Sequence, residues 1–166
     1  MKKIIYLVLW GFYSLNVIAL DCTDFNYKLK LEPKYNILDA IVDSNENHVI
    51  CFIEEKKDNI NDEIFGYCGT ESIAPLAFSA AKRNQQMVTV LLSFGAEVTK
   101  KTFLDILNYG PRCLDKPKEK YPPFRLVLQQ LADHSSLSFF DAFSLIKEFP
   151  YEERIIKTLL INSLKN

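Results

Sequence analysis

The sequence predicts an all-α fold built from stacked pairs of short helices. Residues 74–99, APLAFSAAKRNQQMVTVLLSFGAEVT, contain two apolar runs separated by a polar corner, and similar helix starts recur along the chain. Each such helix has more apolar surface than its partner can cover, so hairpins of this kind must stack on one another. We expect one domain over 20–166, with about four helix-turn-helix repeats at 35–61, 72–99, 101–134 and 137–166.

The second repeat has the strongest helix signals. Pro75 suits a first helical position, where its missing N–H costs nothing. In the second helix, Met87, Val88 and Leu91 lie on one broad apolar face. Gly95 follows at the position of a left-handed C-terminal cap, so the hairpin is expected to end there.

Three further segments have the form of a helix start. Each has a capping residue, two apolar residues and an acid: Asn36-Ile-Leu-Asp39, Thr102-Phe-Leu-Asp105 and Ser138-Phe-Phe-Asp141. In a capping box the first side chain accepts from a free backbone N–H and the acid reaches back to the cap, so these aspartates are predicted to be structural, not catalytic. The apolar positions that correspond between repeats are Leu38, Leu76, Leu104 and Phe140.

The irregular spacing of the repeats is assigned to loops. The residues DNIN at 58–61 close the first repeat, and an insertion at 111–123 interrupts the third. After Pro150, residues 151–164 are expected to form an amphipathic helix of the last repeat. The segment 65–70, rich in glycine and aromatic residues, is either an ordered exposed finger or a loop simply tethered by Cys68.

The second repeat resembles an ankyrin repeat. The family pattern T-P-L-H-x-A-A, V-V-x-L-L-L and G-A-D-V-N is followed in register by Ala74-Pro75-Leu76-Ala77, Val88, Leu91-Leu92 and Gly95-Ala96-Glu97-Val98-Thr99. Ala77 stands where the family has histidine, and Arg83 stands where it has the corner glycine. The resemblance implies a solenoid that binds a protein on a face of turn tips and first helices. The residues implied to contact that partner are Asp43, Ser44, Thr70, Glu71, Ile73, Lys82, Lys100, Lys101 and Tyr109.

Residues 1–19 have the features of a secretory signal peptide. Lys2 and Lys3 precede an apolar run, and Val17-Ile18-Ala19 fits a cleavage site, so the mature chain is expected to begin at Leu20 in the periplasm or outside the cell. The alternative, a membrane anchor, is disfavoured because the run is short for a hydrocarbon core of ~30 Å. Asp21 before Cys22 also disfavours a lipoprotein, and no membrane insertion is expected after cleavage.

Four cysteines remain in the expected mature chain: Cys22, Cys51, Cys68 and Cys113. An even number in an exported protein favours disulfides, and four cysteines permit three pairings. Because Cys22 lies in a free segment that can fold back over the first repeat, we favour Cys22 with Cys51 and Cys68 with Cys113. Stacking would hold Cys51 and Cys113 beyond the ~7 Å limit between Cα atoms.

Charge and motifs argue against several function classes. Without Lys2 and Lys3, 18 basic residues face 21 acidic ones, a net charge of −3 (18 − 21), and this mildly acidic surface disfavours a nucleic-acid partner. No nucleophile elbow, phosphate loop or metal-binding motif is present, and no cofactor is expected. His48 is expected on a helix surface and His134 at a helix end, so no enzyme activity is predicted.

An exported ankyrin-type chain with these disulfides is expected to bind another protein, a toxin or an enzyme. It resembles the small periplasmic immunity proteins that bacteria pair with antibacterial effectors, including those of type VI secretion. The alternative is a periplasmic accessory or a secreted host-directed factor that scaffolds its partner. The Lys- and Asn-rich composition is typical of bacteria and fits both. The oligomeric state is left open.

Overall fold

A computed structural model describes residues 21–56, 59–65, 72–109, 124–146, 157–158, 161–162 and 164. The described helices are α1 Thr23–Leu31, α2 Ile37–Val42, α3 Glu46–Cys51, α4 Pro75–Ala81, α5 Gln85–Ser93, α6 Lys100–Tyr109, α7 Phe124–Asp133 and α8 Phe139–Ile146. A π-helical turn at Phe52–Lys56 extends α3. These residues contain no strand, only an isolated antiparallel bridge between Ile64 and Ile73. The predicted all-α class is confirmed at this level.

The helices contact one another in two series. Within the hairpins, α2 pairs with α3 and α4 pairs with α5. In the first series, α2 contacts α4, α4 contacts α6 and α6 contacts α8. In the second series α5 contacts α7. Two hydrogen bonds extend the second series from α7 to residues 158 and 162. Gln129 Nε2 donates to Thr158 Oγ1 at 2.9 Å, and Asn162 Nδ2 donates to the Ala132 carbonyl at 2.7 Å. Each unit therefore packs on the next one along the chain.

The corner between the two helices of a hairpin is repeated at a spacing of 39 residues (84 − 45). In the first corner the Asn45 N–H donates to the Ala40 carbonyl at 2.9 Å, and in the second the Asn84 N–H donates to the Ser79 carbonyl at 3.0 Å. Each asparagine side chain then caps the following helix, accepting from the backbone N–H three residues later. Counted from the helix starts, the spacing is 38 residues, from the N-cap Asn36 to the N-cap Ala74 (74 − 36). Leu38 and Leu76 therefore correspond as expected, and α4 is one residue longer than α2.

Both corners place a residue other than glycine in the left-handed region. Ser44 has φ 54° and Arg83 has φ 57°, a conformation that costs L-residues about 1–2 kcal/mol. A hydrogen bond links the two corners and helps to hold them in place, because Asn84 Nδ2 donates to Ser44 Oγ at 3.3 Å. Gly95, with φ 87°, ends α5 in the left-handed conformation that the sequence predicted.

Two of the three predicted helix starts are confirmed. Asn36 and Asp39 form a complete capping box at α2. At α8, Ser138 Oγ accepts from the Asp141 N–H at 3.2 Å and donates to Asp141 Oδ2 at 2.6 Å.

The start predicted at Thr102 is wrong. α6 begins at Lys100, because Thr99 and Thr102 cap it reciprocally, each hydroxyl accepting from the other residue's N–H at 3.1 and 3.2 Å. Asp105 consequently lies inside the helix rather than in its capping box.

The N-terminal segment is a helix, which the sequence did not predict. The Cys22–Cys51 disulfide is confirmed, with the two Cα atoms 5.9 Å apart. Phe25 on α1 is completely buried and meets the Phe52 ring edge-on, with 4.6 Å between ring centroids. α1 was missed because it is mostly polar, with its apolar contribution to the core concentrated in Phe25.

The disulfide is typical of an oxidising compartment. Over the described ranges, none of the helices has the length and apolar character needed to cross a bilayer. Several predictions lie outside these ranges: the signal peptide at 1–19, the pairing of Cys68 with Cys113, the insertion at 111–123 and most of the helix at 151–164.

Leu91→Ala should strongly destabilise the fold, because Leu91 is completely buried on α5. We expect a loss of about 2–5 kcal/mol in the free energy of unfolding, measured by urea denaturation. Lys82→Ala, just after α4, should lose less than about 1 kcal/mol, since Lys82 is only half-buried and its ammonium lies 5.9 Å from the centroid of the Phe78 ring. Equal losses in the two variants would contradict the stacking described here.

The double variant Cys22→Ser/Cys51→Ser should lower the free energy of unfolding by about 3–4 kcal/mol. The two cysteines are separated by 29 residues, and a cross-link closing a loop of that length restricts the unfolded chain by this amount. Under reducing conditions the variant and the wild type should unfold at the same urea concentration. A loss below about 1 kcal/mol would show that the noncovalent contacts of α1 are enough to hold it in place.

Candidate interaction surface

The predicted contact residues lie at two ends of the first helices. Asp43, Ser44 and Lys82 follow the C-terminal ends of α2 and α4, whereas Lys100 and Lys101 begin α6. Thr70, Glu71 and the side chain of Tyr109 lie outside the described part of the chain. A seven-residue helix is only ~10 Å long, so both ends fit within one interface of standard size.

Ile73 does not lie on this surface, and its prediction as an exposed contact is wrong. Its side chain is completely buried. The reason is the bridge with Ile64, in which each residue's N–H donates to the other's carbonyl at 3.1 Å. This pairing fixes the chain just before α4, and Ile73 joins the hydrophobic core there.

The first group is the corner row, defined as residues 43–47 and 82–84, which are exposed or half-buried. Residues 43–47 line an open depression of about 430 Å³, composed of Asp43, Ser44, Asn45, Glu46 and Asn47. The bond between Ser44 and Asn84 brings the second corner beside it. The first corner contributes the carboxylates of Asp43 and Glu46 and the second contributes Lys82 and Arg83, so the corner row is polar and of mixed charge.

The second group lies at the start of α6, where Lys101 connects three segments. Lys101 Nζ lies 2.9 Å from Glu63 Oε1 and 2.8 Å from Asp105 Oδ2. Although desolvation opposes it, hydrogen bonding to these two carboxylates raises the pKa of Lys101. Because Asp105 is buried, Lys101 neutralises a carboxylate that would otherwise be unpaired, and its first role is to hold α6 in place.

Lys100 is held less tightly than Lys101. Its Nζ lies 3.7 Å from Asp141 Oδ1 on α8, and both side chains are partly exposed. Such a pair contributes little to stability, so Lys100 is available to another carboxylate at small cost.

α8 exposes an aromatic cluster that sequence reasoning missed. The α8 cluster consists of Phe139, Phe140 and Phe143, which are 44%, 83% and 53% exposed. Phe140, which corresponds in the predicted repeats to the buried Leu38 and Leu76, is itself exposed. This face could have been predicted from the spacing, because the three phenylalanines share one side of a helix whose other side holds the buried Ala142 and Leu145.

His48 is buried, so its prediction as a surface residue is wrong. Its Nδ1 lies 3.0 Å from the Tyr35 hydroxyl and its Nε2 lies 3.1 Å from Asp24 Oδ2. The Tyr35 hydroxyl also lies 3.4 Å from Asp43 Oδ2. Burial, reinforced by the negative charge of Asp43, raises the pKa of Tyr35, so the phenol stays protonated at neutral pH. This chain of groups joins α1 to α3.

The described residues do not bring three His, Cys, Asp or Glu side chains together in a way that could hold a metal ion. His134 lies just after the end of α7, as predicted, and its Nδ1 is 2.9 Å from the Gln130 carbonyl. No protein family, curated protein or solved structure matches the chain.

Tyr35→Phe should change how stability depends on alkaline pH. The folded pKa of Tyr35 is raised above its ordinary value of 10.0, so its stabilising contribution is complete below pH 10 and is lost as the pH rises further. We expect the wild-type free energy of unfolding to fall more steeply above pH 10 than that of Tyr35→Phe. At pH 7 the variant should be less stable by about 1–3 kcal/mol, because buried His48 loses a partner.

The control for this experiment is Tyr27→Phe, since Tyr27 is 62% exposed on α1. Its stability should follow the wild type across the whole pH range. Identical alkaline slopes for the wild type and Tyr35→Phe, measured by urea unfolding, would contradict the assignment.

Proposed function

We propose that this chain is an exported, ankyrin-type repeat protein that binds another protein through the exposed surface of its first helices. The observation that carries the proposal is the hairpin corner repeated at a spacing of 39 residues (84 − 45), with the two copies hydrogen-bonded side by side. Repeating corners set exposed side chains in a row on a rigid support. A row of this kind is how stacked repeats form an extended binding surface.

The corner row supplies the chemistry of this proposed interface. The first corner carries carboxylates and the second carries cations. The corner row therefore complements a partner whose charges are arranged in the opposite order. Three titratable residues outside the corner row offer little for catalysis. His48 is buried in a structural chain of hydrogen bonds, and Asp39 and Asp141 cap helices. Binding without turnover is therefore the activity that we propose.

We further propose that the chain acts in the periplasm. The Cys22–Cys51 disulfide fits an oxidising compartment, and residues 1–19 have the composition of a signal peptide. A small, non-catalytic binding protein in that compartment fits an immunity protein that blocks a toxin entering from a neighbouring cell. The competing role, an accessory or host-directed scaffold, differs from it in having no toxin as partner.

Asp43→Lys combined with Lys82→Ala should weaken partner binding by about tenfold or more, because it changes the charge pattern of the corner row. The melting temperature should fall only slightly, because the 3.4 Å contact between Asp43 Oδ2 and the Tyr35 hydroxyl is lost, whereas a cation at the end of α2 suits the helix dipole. The partner is first captured on the immobilised protein from periplasmic extract and identified by mass spectrometry. Titration with the purified partner then gives the affinity of each variant.

Asp133→Lys is the matched control, because Asp133 is an exposed carboxylate at the C-terminal end of α7, away from the first helices. It should bind like the wild type. If the partner is a toxin, cells lacking the gene should be killed by it and rescued by the wild type and by Asp133→Lys, but not by the corner variant. A folded corner variant that binds at full strength would overturn the proposed interface. Survival without the gene would favour the accessory role.

A further inference from the structure

The Tyr35 hydroxyl has two hydrogen-bond acceptors within reach but only one proton to donate. Its oxygen lies 3.0 Å from His48 Nδ1 and 3.4 Å from Asp43 Oδ2. On the other side of the imidazole ring, His48 Nε2 lies 3.1 Å from Asp24 Oδ2. These four side chains, the His48 network, connect α1 through a buried histidine to Asp43 in the corner row.

Asp24 sets the direction of the hydrogen bonds while His48 is neutral. An ionised carboxylate only accepts hydrogen bonds, so the ring nitrogen beside Asp24, Nε2, must carry the proton. Nδ1 of the neutral ring then has a free lone pair and accepts from the Tyr35 hydroxyl. In this arrangement the phenol proton points away from Asp43.

A second proton on the ring turns the network around. Both nitrogens of an imidazolium donate, so Nδ1 donates to the Tyr35 oxygen. The phenol proton then turns to the other acceptor within reach, Asp43 Oδ2. Tyr35 keeps its proton in both states, because burial, reinforced by the charge of Asp43, raises the pKa of the phenol.

We propose that protonation of His48 reverses the His48 network and so delivers a hydrogen bond to Asp43 in the corner row. The protons balance, because the added proton ends on Nδ1 while the phenol proton turns from Nδ1 to the Asp43 carboxylate. Histidine is the side chain whose charge ordinarily changes between about pH 5 and 8. Mild acidification is therefore the signal that the network passes to the corner row.

The surroundings of the network suit a positive ring. Contacts and electrostatic interactions place five charged groups around His48 and Tyr35: Asp24, Lys28, Glu32, Asp39 and Asp43. α3 itself contributes Glu46 in its first turn, and the π-helical turn contributes Glu55, which is hydrogen-bonded to α1. Carboxylates predominate in this set, and Asp24 pairs with the ring directly.

The reversal changes what Asp43 offers to a partner. When His48 is protonated, one Asp43 oxygen already accepts from Tyr35 and a positive charge lies behind it. When His48 is neutral, that hydrogen bond is absent and the carboxylate is the stronger acceptor. A cation of the partner is thus bound more weakly in acid. This consequence rests on the proposed function, whereas the reversal itself does not.

A side-chain NMR titration of the protein without any partner tests the reversal. Isotope-labelled protein with the complete 166-residue sequence is titrated from about pH 4 to 8.5, where carboxylates and histidine ionise. We expect the Asp43 carboxyl carbon to shift in two steps, first with its own ionisation and again together with the His48 ring. The Asp24 carboxyl carbon should also follow the ring, because it contacts Nε2.

Tyr35→Phe separates the hydrogen bond from the charge of the ring. This variant should lose the second step at Asp43, while Asp24 still follows His48. Tyr27→Phe is the matched control and should keep both steps, because Tyr27 is 62% exposed on α1. His48→Gln, with Tyr35 in place, should also lose the second step. A wild type without a second step at Asp43, or a Tyr35→Phe variant that retains it, would overturn the proposal.

Discussion

The structure depends on the stacking of helices that are too short to stand alone. α2 and α3 have six residues each and α4 has seven, lengths at which an isolated helix is not stable in water. All seven side chains of α4 are buried, so no single partner could cover this helix. α2, α5 and α6 cover it together. Stability is therefore shared between neighbouring units rather than contained within one of them.

That constraint also determines where functional side chains can lie. Ile73 pairs with Ile64 just before α4 and joins the core. Lys101 on α6 is engaged with Glu63 and Asp105. The corners are less constrained, because backbone groups there are hydrogen-bonded within the turn itself. The proposed contact residues are therefore gathered in the corner row, where the Ser44–Asn84 contact links the two corners.

Much of the hairpin architecture could be predicted from the sequence because local chemistry decides it. Pro75, Gly95 and the cap formed by Asn36 and Asp39 act on their own neighbours, and the structure places them as expected. The Cys22–Cys51 pairing could also be predicted, because the N-terminal segment can fold back over the first repeat. The predictions that failed concern residues whose exposure depends on packing. Ile73 is buried where it pairs with Ile64, and His48 is buried against α1. Phe140 is exposed on the side of α8 opposite the buried Ala142 and Leu145. A polar α1 carried too weak a periodic signal to be recognised.

Amide hydrogen exchange, measured residue by residue in dilute solution, tests the central claim that the fold is a linear stack. In such a stack the inner units unfold only with the whole molecule, whereas the end units can open locally. We predict the slowest exchange in α4 and α5, which are packed on both sides, and exchange at least about tenfold faster in α8. Exchange in α8 as slow as in α4, or fast exchange throughout α4, would contradict the stacked architecture.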